Sequence, residues 1–333
     1  MKKLTYSLIP LGITVGLCLN IAPASASLMV RNVISNAALS IDGFGSTTNS
    51  GLIQANIPTG STIQRAYLYA ASAWSNPVHG VTFHGNTLSL DSATILGPDK
   101  NPATTARWDV TSIIASSFTG GSQDFSIVEN GDNDGAVLVV AYSNSSTQGF
   151  TSVILDGELS TGGDTSQFDF ASPYTGGDFL VSLASSYSRQ PSGQATEIDV
   201  TTNSTNNRRL TSSAGGQDDG EGADGGLITV GGIGDSPTNP GPFDDPLDGP
   251  RIDDEYYNLA LGNSANSAPF ISSGDTFLRL KTVNPSNDDN VFGMFITSGF
   301  NITATSVPEP SMTLGLFGIG ALGALISRRG KKS

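Results

Sequence analysis

The sequence predicts an all-β fold, a β-sandwich or jelly roll of short antiparallel strands. Three observations carry this expectation. Short segments alternate apolar and polar residues with period two, as in Ala37-x-Leu39-x-Ile41, Ala66-x-Leu68-x-Ala70, Val81-x-Phe83, Phe125-x-Ile127 and Leu278-x-Leu280. Turn-forming residues punctuate them, with 40 Gly and 17 Pro in 333 residues. Helical periodicity is confined to one turn at Ser112–Phe118.

In chain order, residues 1–26 read as a secretory signal peptide. Lys2 and Lys3 supply the positive start, Leu8 to Leu19 the apolar stretch, and Ala24-Ser25-Ala26 the small-residue cleavage site. The stretch is too short to span a membrane comfortably. Cys18, the only cysteine, leaves with it, so no disulfide framework or Cys-based zinc site is expected. The exported domain is expected over 27–306. In it, Ala136–Tyr142 is a continuous apolar run of strand length, read as a central strand, and Val291–Phe300 is a long β-rich segment broken by Gly293 and Gly299. Residues 215–255 carry eleven acids and one base, Arg251, and 237–250 hold five prolines, so this segment is expected to be a long acidic loop. The strand-like Thr276–Thr282 and Val291–Ala304 beyond it are expected to complete the same sheets.

The last 27 residues have three parts. Val307-Pro308-Glu309-Pro310 is a rigid polar start, Met312–Ile326 is uncharged and rich in Leu, Gly and Ile, and Arg328, Arg329, Lys331 and Lys332 follow. A helix of fifteen residues rises about 22 Å, short for a hydrocarbon core near 30 Å, and suits a transient stop better than a lasting anchor. The basic end belongs on the cytoplasmic side, which puts the bulk of the chain outside. This tail resembles the PEP-CTERM sorting signal, on Pro308, Glu309 and Pro310, the apolar run and Arg328-Arg329. The resemblance implies an exported bacterial protein, processed near Pro308–Pro310 by a membrane protease of the exosortase type. It also implies a place at the cell surface or in an exopolysaccharide matrix or biofilm. The same tail goes by the name of an ice-binding protein C-terminal domain, which describes the tail and not residues 27–306. The middle resembles uncharacterised exported β-sandwich proteins that carry the same tail. It does so on Arg65-Ala-Tyr-Leu-Tyr69, Asp109-Val-Thr111, Ala136–Tyr142, Leu155-Asp-Gly157, Arg208-Arg-Leu210 through Gly215-Gly216, and Asn284–Asn290.

Residues 27–306 hold ten basic and 29 acidic side chains, a net charge of −19. Such a charge repels nucleic acid and anionic lipid and favours divalent cations. Of the only histidines, His79 follows Pro77 in an expected turn and His84 ends the strand-like Val81–Phe83, and no Gly-x-Ser-x-Gly occurs, so a serine triad is not expected. The glycines at Gly231–Gly234 precede Asp235 and Pro237 with no Lys, which is not a phosphate cradle. Asp156 and Glu158 are two residues apart and could serve as a glycosidase pair if that segment is extended. Trp74, Trp108, Tyr256 and Tyr257 are candidate glycan platforms, with Trp108 expected in the core and Tyr256-Tyr257 on the surface.

If a metal is bound, calcium is the one favoured, and an ordinary solvated acidic turn is the alternative at each candidate. Asn130-Gly-Asp132-Asn-Asp134-Gly135 places oxygen side chains at alternate positions before a glycine, the first half of an EF-hand-type loop, with Asp132 and Asp134 as ligands. The closing position is Ala141, inside a strand, so a distant carboxylate would have to complete the site. Asp218, Asp219, Glu221 and Asp224 form a second candidate, and Asp288 and Asp289 a third. The expected function is that of a non-catalytic surface or matrix protein. A calcium-dependent glycan-binding module and a carboxylate-based polysaccharide hydrolase stay open as alternatives.

Overall fold

The computed structural model describes residues 28–45, 48–72, 76–96, 104–157, 159, 163–186, 196–214, 228–238, 255–262, 267–283 and 290–307. The N-terminal half contributes β1 (Met29–Ser35), β2 (Ala38–Phe44), β3 (Ser50–Ile57), β4 (Thr62–Ser72), β5 (Val81–Phe83), β6 (Asn86–Leu88), β7 (Thr94–Leu96), β8 (Thr105–Asp109), the short helix α1 (Thr111–Ser117), β9 (Gly121–Glu129) and β10 (Asn133–Ser143). The C-terminal half contributes β11 (Thr151–Asp156), β12 (Asp164–Phe170), β13 (Phe179–Ser186), β14 (Thr196–Thr202), β15 (Arg208–Ala214), β16 (Thr229–Val230), β17 (Tyr256–Asn258), β18 (Phe277–Val283), β19 (Asn290–Ser298) and β20 (Ile302–Val307).

Every pairing among these strands is antiparallel, and they form four sheets. The first outer sheet has the order β3-β9-β5-β6 and the first inner sheet β2-β10-β4-β8-β7. The second inner sheet runs β1-β11-β19-β13-β16, with β17 also on β13, and the second outer sheet β15-β14-β18-β12-β20. Three hydrophobic cores separate the four layers, so the expected sandwich is in fact two sandwiches stacked through their inner sheets.

Side-chain phase explains this stacking. In β4, Ala66, Leu68 and Ala70 enter the first core, while Tyr67, Tyr69 and Ala71 enter the central one. In β10, Ala136, Leu138 and Val140 face one way and Val137 and Val139 the other. Strands apolar on both faces must be covered on both, which is why the run at 136–140 reads without alternation. The outer strands β12 and β14 bury every second residue and leave the rest partly wet. In β19 the phase slips. A bulge opposite Ala184 and Ser185 lets both Phe292 and Phe295 point into the central core, while Val291, Met294 and Ile296 fill the second sandwich.

One buried carboxylate crosses the central layer. Asp156, at the end of β11, is fully buried. It pairs with Arg107 of β8, accepts a hydrogen bond at 3.0 Å from the Tyr69 hydroxyl of β4, and is bound at 2.9 Å by Arg31 of β1. Burial and the Asp156 charge push the Tyr69 phenol well above its ordinary range, so it remains a donor. Removing one partner of a buried ion pair costs about 3–5 kcal/mol, whereas losing one hydrogen bond costs about 1 kcal/mol. Asp156→Asn is therefore expected to lower stability in urea unfolding by several times the loss in Tyr69→Phe. Equal losses would mean that the ion pairs contribute nothing to joining the sandwiches.

Candidate functional site

The β9–β10 hairpin builds the acidic end of the first sandwich. Along β9, Phe125 and Ile127 point into the first core, and Glu129 continues that inward phase. Glu129 is 5% exposed, and its Oε1 has no hydrogen-bond partner. Burial, reinforced by the nearby Asp134 charge, pushes its carboxyl up to about 8.

The turn residues are fixed by main-chain needs. The Asn133 amide clamps His79, accepting from its N–H at 2.8 Å and donating to its carbonyl at 3.1 Å. The His79 ring lies against Gly131, where any side chain would collide with it. Gly135 has φ 137° and abuts the Phe44 carbonyl and Ile228, so only glycine fits there. Asn130 accepts a hydrogen bond from the Thr82 hydroxyl at 3.3 Å.

The two predicted calcium ligands do not share an environment. Asp132 is exposed, whereas Asp134 is buried at 3% exposure. The register shift between Asn133 and Gly135 makes Asp134 the extra residue of a bulge, which breaks the period-two reasoning that grouped it with Asp132. Glu129 is the residue that sequence reasoning missed, although an acid in the inward phase after Phe125 and Ile127 was a readable signal. Among the described residues, no group of three or more His, Cys, Asp or Glu side chains is arranged to hold a metal ion.

Other expectations resolve plainly. Asp156 is enclosed by Arg31, Arg107 and Tyr69, so it is not free to act as a glycosidase carboxylate. Its suggested partner Glu158 lies outside the described residues. Trp108 is in the first core, with its indole N–H donating to the Ser89 carbonyl at 2.9 Å. The expected surface pair is corrected, because Tyr257 is buried in the second sandwich and Tyr256 is half-buried. His84 is exposed and, with Gly85, forms the two-residue turn between β5 and β6; both have positive φ, the geometry of a type I′ hairpin. The segment expected as one long loop contributes β16, and Ile228 and Val230 are buried in the central core. Trp74, Asp218, Asp219, Glu221, Asp224, Asp288 and Asp289 lie outside the described residues. So do Ala24, Ala26, Pro308, Glu309, Pro310 and the tail segment Met312–Ile326. An open cleft of about 290 Å³ is lined by Ser172, Tyr174, Phe300 and Asn301 beside the glycine backbone of 149, 176 and 299, with no carboxylate, histidine or basic side chain.

The PEP-CTERM protein-sorting motif family matches residues 306–330. The chain therefore carries this sorting motif and is an exported protein of the cell envelope or surface, processed by exosortase. Neither curated proteins nor solved structures give a match.

A second carboxylate whose pKa is raised sits where β2 meets β3. Asp42 accepts the Gln54 N–H, and Ser40 accepts the Asn56 N–H at 2.9 Å, so β2 side chains cover the free edge of β3. Burial pushes the Asp42 carboxyl up to about 7, with Asp235 and Asp124 adding repulsion, against the backbone bonds from Gln54 and Gly43. A carboxyl raised in the folded state binds a proton there that the unfolded chain releases. Its favourable contribution is full below about pH 4 and is lost as pH rises through 7. Asp42→Asn keeps the acceptor for Gln54. Its melting temperature should match the parent near pH 4 and exceed it by about 2–4 °C at pH 8. A lower value at pH 8 would mean that the charged form is the one the fold requires.

Proposed function

We propose that residues 27–306 are a non-catalytic structural component of the cell surface or its exopolysaccharide matrix, delivered by the tail. The observation that carries this reading is the junction between body and signal. The last described strand, β20, ends at Val307, and the sorting match begins at 306. Every described strand precedes Pro308, so processing at Pro308–Pro310 would leave all of the described sheets in the cargo.

The chemistry of the body agrees. Its net charge of −19 favours a hydrated, repulsive surface over binding to nucleic acid or anionic lipid. Asp156, the one described member of the suggested hydrolytic pair, is spent on joining the sandwiches.

Deleting Pro308–Ser333 tests the reading. The truncated protein should leave the cell in soluble form with an unchanged melting temperature, while the full chain in a host with exosortase stays with the envelope or matrix fraction. Retention of the truncated form, or its loss of folding, would overturn the division into cargo and tail. Incubating the purified protein with the host's exopolysaccharide should release no new reducing ends; sustained release would make it a hydrolase.

A further inference from the structure

We propose that the end of β20 is a gate on processing: Ser306 and Val307 must leave the second outer sheet before the sorting motif can enter a protease. The inference rests on the reading that the tail is cut at Pro308–Pro310. The evidence is an overlap. The sorting match begins at residue 306, whereas β20 runs to Val307, so the first two residues of the motif also belong to the sheet.

Ser306 is held twice. Its main chain is in register with Ser166 of β12, and Val307 follows in register with Thr165. Its hydroxyl donates to the Leu28 carbonyl at 2.8 Å and accepts the Val30 N–H at 3.3 Å, so its side chain is stapled to β1. Leu28 is buried in the second sandwich, and its N–H donates to Asp164 at 3.4 Å, which fixes the far end of the staple. An enzyme that takes up an extended segment needs the main chain for pairing and alternate side chains for its pockets. At Ser306 both are already engaged, two residues before the cut. Opening a strand end costs far less than unfolding, and cleavage of a transiently opened segment follows the population of the open form. The rest of the strand can stay in place, since the Ile302 N–H donates to the Thr151 hydroxyl at 3.3 Å.

The rate of tail release from full chains in exosortase-containing membranes tests the gate. Registered antiparallel residues lie at Cα separations that a disulfide can span, so Ser166→Cys with Ser306→Cys pins the end of β20. The oxidised variant should melt at or above the wild type, which shows that it folds. Its processing should fall about tenfold or more, and reductant should restore it. A flexible Gly/Ser linker of about six residues inserted after Val307 moves the cut away from the sheet, and should return the oxidised variant to the wild-type rate. Ser306→Ala loses two hydrogen bonds and should be processed about 5–30-fold faster. A wild-type rate in the oxidised variant, no rescue by the linker, or an unchanged or slower rate in Ser306→Ala would each overturn the gate. None of these outcomes alters where the full and truncated chains fractionate, so the division into cargo and tail stands or falls separately.

Discussion

The assembly of the two sandwiches depends on one buried charge. Asp156 reaches from the second inner sheet to Arg107 and Tyr69 of the first, and Arg31 of β1 closes over it. Hydrophobic contact alone is non-directional and would allow the sheets to slide. A carboxylate met by fixed guanidinium and hydroxyl donors sets a single relative position, because any slip would strand charge in the interior. Tyr69 does double duty, packing on Phe292 and Phe295 at 5.8 Å while its hydroxyl holds Asp156.

Arg65-Ala-Tyr-Leu-Tyr69, Asp109-Val-Thr111 and Leu155-Asp-Gly157 meet around this point. Arg65 pairs with Asp109 at 2.8 Å, Asp109 accepts the Thr111 N–H, and Thr111 accepts the Ala66 N–H at 2.9 Å. Tyr69 then continues the chain of contacts to Asp156 in the Leu155-Asp-Gly157 segment. These residues are the joints of a scaffold, and their chemistry is consumed in holding it.

Strand identity was legible because each layer leaves its own pattern. Inner strands such as β10 are apolar on both faces, and outer strands such as β12 alternate. The doubling of the sandwich was not legible from one sequence, since an apolar run reveals that both faces are covered but not by what. The bulges were hidden for a related reason. The phase slip at Asp134 depends on pairing with Ser72 and Ala71, sixty residues earlier in the chain. β16 escaped notice because its two residues, Thr229 and Val230, sit among glycines and acids and become a strand only against β13. Of the acidic site, Asp134 was visible through its spacing to Gly135, while Glu129 gained its meaning from the burial that the first core imposes.

The meeting of the first and last strands sets an order of events. The Ser306 hydroxyl donates to the Leu28 carbonyl at 2.8 Å and accepts the Val30 N–H at 3.3 Å, across more than 270 positions of chain. The first sandwich is built from neighbours in sequence, all between Ala38 and Ser143. It can close early, because near contacts carry little loop entropy. The second cannot close until β19 and β20 have arrived. A chain that emerges from its N-terminus therefore completes its last layer only when the sorting motif itself emerges. Folding and delivery are thereby placed in sequence, with the half-built second sandwich as the state that export must carry through.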